Sequence, residues 1–180
     1  MLAGILVDQG RMEMDAPAPI ARWQGTDKES ITTRNLLNMA AGLKVNEDYA
    51  RFSDVTQMLY LESDQYDYAL KQPVVHAPGE MFQYSTAEAN RLAAAVQEAA
   101  GGTQQAMYDF YQAALFRRID ITSAFIEFDA SGNFVGGAYG FMTARDWARL
   151  GELYLQRGEW NGEQVLSSGF VDFVTQPSPA

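Results

Sequence analysis

Pro78-Gly79-Glu80-Met81-Phe82-Gln83-Tyr84-Ser85-Thr86 is the stretch on which the reading of this chain turns, because the residues after it, Ala87 to Ala100, read as an alanine-rich helix ended by Gly101-Gly102. The stretch sets Tyr84 at a turn-to-helix junction, where a phenol can be aimed at a substrate. A tyrosine of ordinary pKa, about 10, is roughly one part in a thousand phenolate at neutral pH, so general-base work needs a cation beside it. A Ser-x-x-Lys helix would supply one, since serine and lysine three apart share a face. The lysines here are Lys28, Lys44 and Lys71, preceded three positions upstream by Gly25, Ala41 and Tyr68, so that motif is absent from the chain.

Outward from the tyrosine, local patterns divide the chain into short elements. Leu2, Ile5 and Leu6 have helical spacing over Met1 to Gln9, and Asp15 to Pro19 breaks that helix. Thr32 or Thr33 caps a helix that carries Leu36, Leu37, Met39 and Ala40 and ends at Gly42. Val55, Met58, Leu59 and Leu61 mark one helix, and Tyr66 to Leu70 a second, shorter one. Beyond Gly102, an amphipathic face runs through Met107, Phe110, Tyr111, Ala114 and Leu115. Ala124 to Phe128, the turn Asp129 to Asn133, and Phe134-Val135 read as a hairpin. Thr143 with Asp146 opens a helix bearing Trp147, Leu150, Leu153 and Tyr154. Asn161-Gly162 is a tight turn, and Ser167 or Ser168 starts a last helix toward Pro177.

Composition narrows the function classes. With 180 residues, 47% hydrophobic, 20% charged and 12% aromatic, the chain has the profile of a packed globular protein and suits one domain. A formal charge of −10 repels phosphate backbones and anionic lipid, which argues against nucleic acid and membrane surfaces as partners. Zero cysteines exclude disulfides, thiol nucleophiles and thiolate metal sites, and the lone His76 cannot build a histidine metal cluster. No metal and no organic cofactor is expected. The first nine residues lack the basic flank and small-residue cleavage site of a signal peptide, and no apolar run reaches the length of a membrane span.

Several stretches together resemble the penicillin-recognising serine hydrolases: the class C β-lactamase and DD-peptidase family, with its branch of esterases and aminohexanoate-oligomer hydrolases. ITTRNLLNMAAGL, Ile31 to Leu43, is similar to the family's helix between nucleophile and tyrosine. Pro78 to Ser85 is similar to its tyrosine motif. Gly136-Gly137, Thr143 to Leu150 and Gly158 to Gly162 resemble the stretch beyond it. The resemblance covers nearly the whole chain. It implies a β-lactamase/transpeptidase-like α+β fold, predominantly helical here, in which residues 1–180 form a partial domain of helical subdomain plus hairpin. The Ser-x-x-Lys segment is expected before residue 1, and the late Lys-Thr-Gly or His-x-Gly strand has no counterpart before Ala180.

In that family a serine attacks the acyl carbon, the lysine ammonium lowers the tyrosine's pKa, and the tyrosine shuttles the serine's proton to the leaving group. The resemblance thus makes Tyr84 the catalytic candidate of a serine hydrolase acting on a small ester or amide through an acyl-enzyme. The chain alone is expected to be inactive or nearly so. Thr86 stands where β-lactamases and DD-peptidases carry asparagine, and a hydroxyl there favours the esterase or amidase branch. Ser85 and Thr86 are substrate-binding candidates, as are Asp48 and Tyr49, whose loop lies near the cleft in the aminohexanoate-hydrolase branch. Asn90, one turn past Thr86, could stand in for the missing amide. Family members are often exported bacterial proteins, which leaves the compartment open.

Each candidate has a plainer reading. For one of nine tyrosines it is a half-buried ring with a bonded hydroxyl. For Glu47 and Asp48 it is a solvated surface, and the same holds for Glu62, Asp64 and Asp67, which lack a calcium-loop pattern. His76 reads as structural, because no Gly-x-Ser-x-Gly elbow occurs. The three glycines at 136, 137 and 140 lack the Gly-Lys-Ser/Thr of a phosphate loop and fit a tight backbone course beside the cleft. Trp147 and Trp160 read as core packing. Leu2, Ile5 and Leu6 are expected to expose an apolar face that invites self-association. The rival to an enzyme is a non-catalytic helical module that binds a ligand or partner on the same scaffold, with a self-contained core.

Overall fold

The computed structural model describes residues 1–49 and 51–180. Helix α5, Thr86–Ala100, is its axis, and α1 (Leu2–Asp8), α2 (Thr33–Leu37), α3 (Asp54–Tyr60), α4 (Gln65–Leu70) and α6 (Gln104–Tyr111) pack against it. Alanine makes this possible. Ala93, Ala94, Ala95 and Ala100 are buried with Val96, and side chains this small let neighbouring backbones come close. One main buried cluster draws members from α1 to α8 (Ser168–Val174), including Leu6, Leu36, Met107, Leu153 and Leu166. Met58, Tyr68, Ala69 and Ala87 form a smaller cluster under α3 and α4.

The chain is α+β and predominantly helical. Among the described residues, its strands are two antiparallel pairs, β1 (Phe125–Ile126) with β2 (Gly140–Phe141) and β3 (Glu159–Trp160) with β4 (Glu163–Gln164). The first pair corrects the expected hairpin. Phe128 does bridge Phe134 across the Asp129 turn, but Phe125 and Ile126 pair with Phe141 and Gly140. Residues 136–138 leave the ladder, with Gly136 and Gly137 lying against α5, and Tyr139 O rejoins it by accepting from Glu127 N. A Cβ on Gly136 would lie 2.6 Å from Ala93 Cβ, and one on Gly137 2.6 Å from Thr86 Cγ2 and 2.8 Å from Thr86 O. The tight course expected of these glycines is therefore a close approach to α5. No described helix is long and apolar enough to cross a membrane.

Two further expectations need correction. Helix α2 stops at Leu37, well short of Gly42, and Met39 takes a left-handed φ of 52°. The segment after it finds partners across the chain instead. Val75 N and His76 N donate to Gly42 O, and Gln83 N donates to Met39 O. Gly42, at φ 76°, touches the His76 carbonyl so closely that a side chain would collide with it. His76 thus belongs to a backbone junction.

Helix α1 does not expose its apolar face either. Ile5 and Leu6 are 2% and 0% exposed, and Leu2 is half-buried. Burying an aliphatic side chain contributes about 1.5–3 kcal/mol, which favours tucking the helix against α5.

Every α-helix from α2 to α8 carries a side-chain cap, given by Thr32, Ser53, Asp64, Ser85, Thr103, Thr143 and Ser167 in turn. At α7 (Ala144–Leu155) Thr143 Oγ1 accepts from Asp146 N, but the Asp146 carboxylate turns away to the preceding loop. It accepts from Thr122 N at 3.2 Å, Ser123 N at 2.9 Å and Ser123 Oγ at 2.6 Å, and pairs with Arg149. These bonds, Ser123's foremost, hold its pKa down to about 2. A depressed folded-state pKa stabilises fully above the ordinary aspartate value of about 4, and that stabilisation is lost as pH falls through the folded value. Urea midpoints measured from pH 5 to pH 2 should fall for the wild type across that window. Asp146→Asn should start lower and fall less; equal slopes would refute the assignment.

Candidate active site

Tyr84 stands on the strand-like segment leading into α5, with its ring 69% exposed. Its hydroxyl makes no hydrogen bond to any described residue. This is the opposite of the plain reading, a half-buried tyrosine with a bonded hydroxyl. Its neighbours on both sides are held by one loop. Gln83 Nε2 donates to Val45 O at 3.2 Å, and Thr86 N donates to Glu47 Oε1 at 2.9 Å. The ring is presented to solvent from a clamped frame.

Ser85 is the N-cap of α5, 1% exposed, with its hydroxyl accepting from Glu88 N at 3.0 Å. That hydroxyl serves the helix. A serine three residues before a glutamate is a sequence signature of a helix start, so this role was legible. Thr86 is the first residue of α5 and 7% exposed; its hydroxyl lies 2.5 Å from Glu47 Oε1 and 3.5 Å from the Tyr49 hydroxyl. Tyr49 is 68% exposed. Asp48 is exposed, and its amide donates to Asn46 Oδ1. The structure therefore brings Tyr49, Thr86 and the Tyr84 segment together, and leaves Asp48 outward.

Glu47 was missed. It reads as a solvated acid in the sequence, yet it is half-buried, and its Oε2 is enclosed without a partner. Its partner lies 39 residues away, so no local pattern could have signalled it. Asn90 is not available to a substrate. It is 0% exposed, with Oδ1 accepting from Gly137 N and Nδ2 donating to Gln65 Oε1. Tyr139, also unforeseen, takes a left-handed φ of 61° beside this cluster. Burial, with Tyr60, Glu127 and Tyr49 nearby, pushes its phenol up.

Beneath the site lies a buried ion pair. Arg91, 0% exposed, binds Glu88 through Nη1, Ala69 O through Nε at 3.0 Å and Lys44 O through Nη2 at 3.2 Å. Burial pushes Glu88 up and Arg91 down, each opposed by the partner's charge. Asp64 and Asp67, read with Glu62 as a solvated acidic face, do lie at the surface, Asp67 exposed and Asp64 half-buried, and both pair there with the exposed Arg22. Beside α5 opens an apolar groove of about 600 Å³, walled by Leu2, Leu37, Leu92, Val96, Met142 and Trp147. Trp147, expected in the core, is 51% exposed on that wall.

Tyr84 thus stands exposed just before a largely buried helix, with the Thr86 hydroxyl two positions on. The sequence profile of the Beta-lactamase family matches residues 1–177, and the chain belongs to that family. Its sequence is 27% identical to the 6-aminohexanoate-dimer hydrolase of Paenarthrobacter ureafaciens over 96% of this chain and 47% of that protein. A Bacillus anthracis structure provisionally assigned as a 6-aminohexanoate-dimer hydrolase superposes with a TM-score of 0.79 at 22% identity, over 96% of this chain and 50% of that one. The D-amino acid amidase of Ochrobactrum anthropi gives a TM-score of 0.68 at 15% identity, over 94% and 55%. These structures share the β-lactamase/transpeptidase-like fold. The chain spans about half the length of the relatives it matches.

Proposed function

We propose that this chain is the tyrosine-bearing part of a serine hydrolase that cleaves a small ester or amide through an acyl-enzyme. The observation that carries the reading is Tyr84: an exposed phenol with an unengaged hydroxyl on a clamped backbone, in a chain matched to the family over residues 1–177. Such a hydroxyl is free to take a proton from an attacking serine and pass it to a leaving group. The attacking serine and the ammonium that would favour phenolate come from a Ser-x-x-Lys helix, a motif none of the 180 residues supply. Lys71 is turned to Asp67, and Lys44 is exposed on the loop before Glu47.

Division of the machinery predicts that the chain alone is inactive. Incubated with a fluorophosphonate and weighed by mass spectrometry, it should show no stoichiometric serine adduct. When this segment is joined to a Ser-x-x-Lys helix in one polypeptide, that serine should be labelled. An adduct on the isolated chain would overturn the division, and an unreactive joined polypeptide would overturn the hydrolase reading. The rival reading, a non-catalytic binding module, draws on the burial of Ile5 and Leu6, which closes the core where an exposed face was expected. It predicts ligand binding with no labelled serine in either form.

A further inference from the structure

We infer that Glu47 determines specificity in this cleft by fixing the direction of the Thr86 hydroxyl, so that Thr86 offers a substrate only a hydrogen-bond acceptor and selects an N–H donor. The inference rests on Thr86 lining the substrate cleft of the proposed hydrolase. A carboxylate has no proton to give, so in the 2.5 Å contact the Thr86 hydroxyl must donate to Glu47 Oε1. With its single proton spent, the Thr86 oxygen can only accept on its other side. The Tyr49 hydroxyl, 3.5 Å away, is then the donor to Thr86.

The polarity is locked as well as set. Threonine's branched side chain has few χ1 states, and the Thr86 methyl is held in the space left by Gly137, whose missing Cβ would lie 2.6 Å from it. Turning the hydroxyl away from Glu47 would push that methyl out of its seat. Glu47 also receives Thr86 N at 2.9 Å, so carboxylate, helix start and hydroxyl form one unit. Exposed Tyr49 stands over the remaining lone pair, and a substrate N–H replaces its hydroxyl there. A secondary amide carries such a donor, whereas the matching ester presents only oxygen lone pairs to an oxygen that cannot donate.

The test compares N-propylbutanamide with propyl butanoate, titrated into isotope-labelled chain and followed at the Thr86 methyl and amide signals. Losing one such hydrogen bond should make the ester about tenfold weaker. Glu47→Gln keeps an acceptor oxygen and should keep the ratio. Glu47→Met frees the Thr86 proton to point outward and should bring the ratio to about one, as should Thr86→Val, which removes the acceptor. Dispersed amide spectra verify folding, and if Glu47→Met fails that check, Thr86→Val decides. Equal affinities in the wild type, binding of neither compound, or a ratio unmoved by Thr86→Val would each overturn the inference. Binding requires no turnover, so an inert hydrolase with a clear amide preference would refute the proposed function and leave this inference standing; a working hydrolase without the preference would do the reverse.

Discussion

Arg91→Met should lower the unfolding free energy by about 3–5 kcal/mol, because it leaves Glu88 buried without its counter-ion. Glu88 Oε2 lacks a partner, and the Ala41 backbone is then the main remaining group that favours the charged carboxylate. The carbonyls of Ala69 and Lys44 lose their donors in the same stroke. Against a domain stability of about 5–15 kcal/mol, the loss is large enough to read directly from urea midpoints. The double variant Glu88→Leu/Arg91→Met removes the stranded charge and should recover part of the loss, the two orphaned carbonyls keeping the recovery incomplete. A double variant no more stable than Arg91→Met would show that the ion pair itself is not what matters. Arg91 also ties the core to the Tyr84 segment: Lys44 begins the loop whose Val45 holds the Gln83 side chain and whose Glu47 holds the Thr86 backbone, on either side of Tyr84.

That loop marks the boundary of what the sequence reveals. Helices α3, α4, α5, α7 and α8 announce themselves because the signals that make them are local: an apolar period, a Ser, Thr or Asp cap, a glycine stop at 101. The tyrosine at the head of α5 is legible for the same reason. Helix α2 is misjudged in length because its apolar period continues through Met39 and Ala40, while the backbone there is claimed by Gly42 to His76 and Met39 to Gln83 bonds from distant segments. The pairing of β1 with β2 is missed similarly, since residues 136–138 leave the hairpin where Gly136 and Gly137 pack closely on Ala93 and Thr86. Glu47 is the sharpest case. Flanked by Asn46 and Asp48 it looks like solvated loop, and only the folded chain shows its carboxylate at the head of α5. Where a residue's partner is far along the chain, composition describes its neighbours and not its role.

Tyr84→Phe should separate chemistry from folding more cleanly than any other substitution here. The hydroxyl it deletes has no partner among the described residues and the ring is 69% exposed, so stability should change by less than about 0.5 kcal/mol. Tyr66→Phe is the contrasting control: its buried hydroxyl donates to Phe134 O at 2.7 Å, and its loss should lower stability by about 1–2 kcal/mol. In a polypeptide that joins this segment to a Ser-x-x-Lys helix, removing a positioned proton shuttle should slow acylation by about 10²–10⁴-fold. Tyr66→Phe should leave the acylation rate of the folded fraction nearly unchanged. Stopped-flow acylation with a chromogenic ester, set beside thermal melts of both variants, makes the comparison. A Tyr84→Phe enzyme acylating at the wild-type rate would remove the tyrosine from the mechanism, whatever the family pattern suggests. A slowed rate with an unshifted melt would place the lost function in the Tyr84 hydroxyl itself.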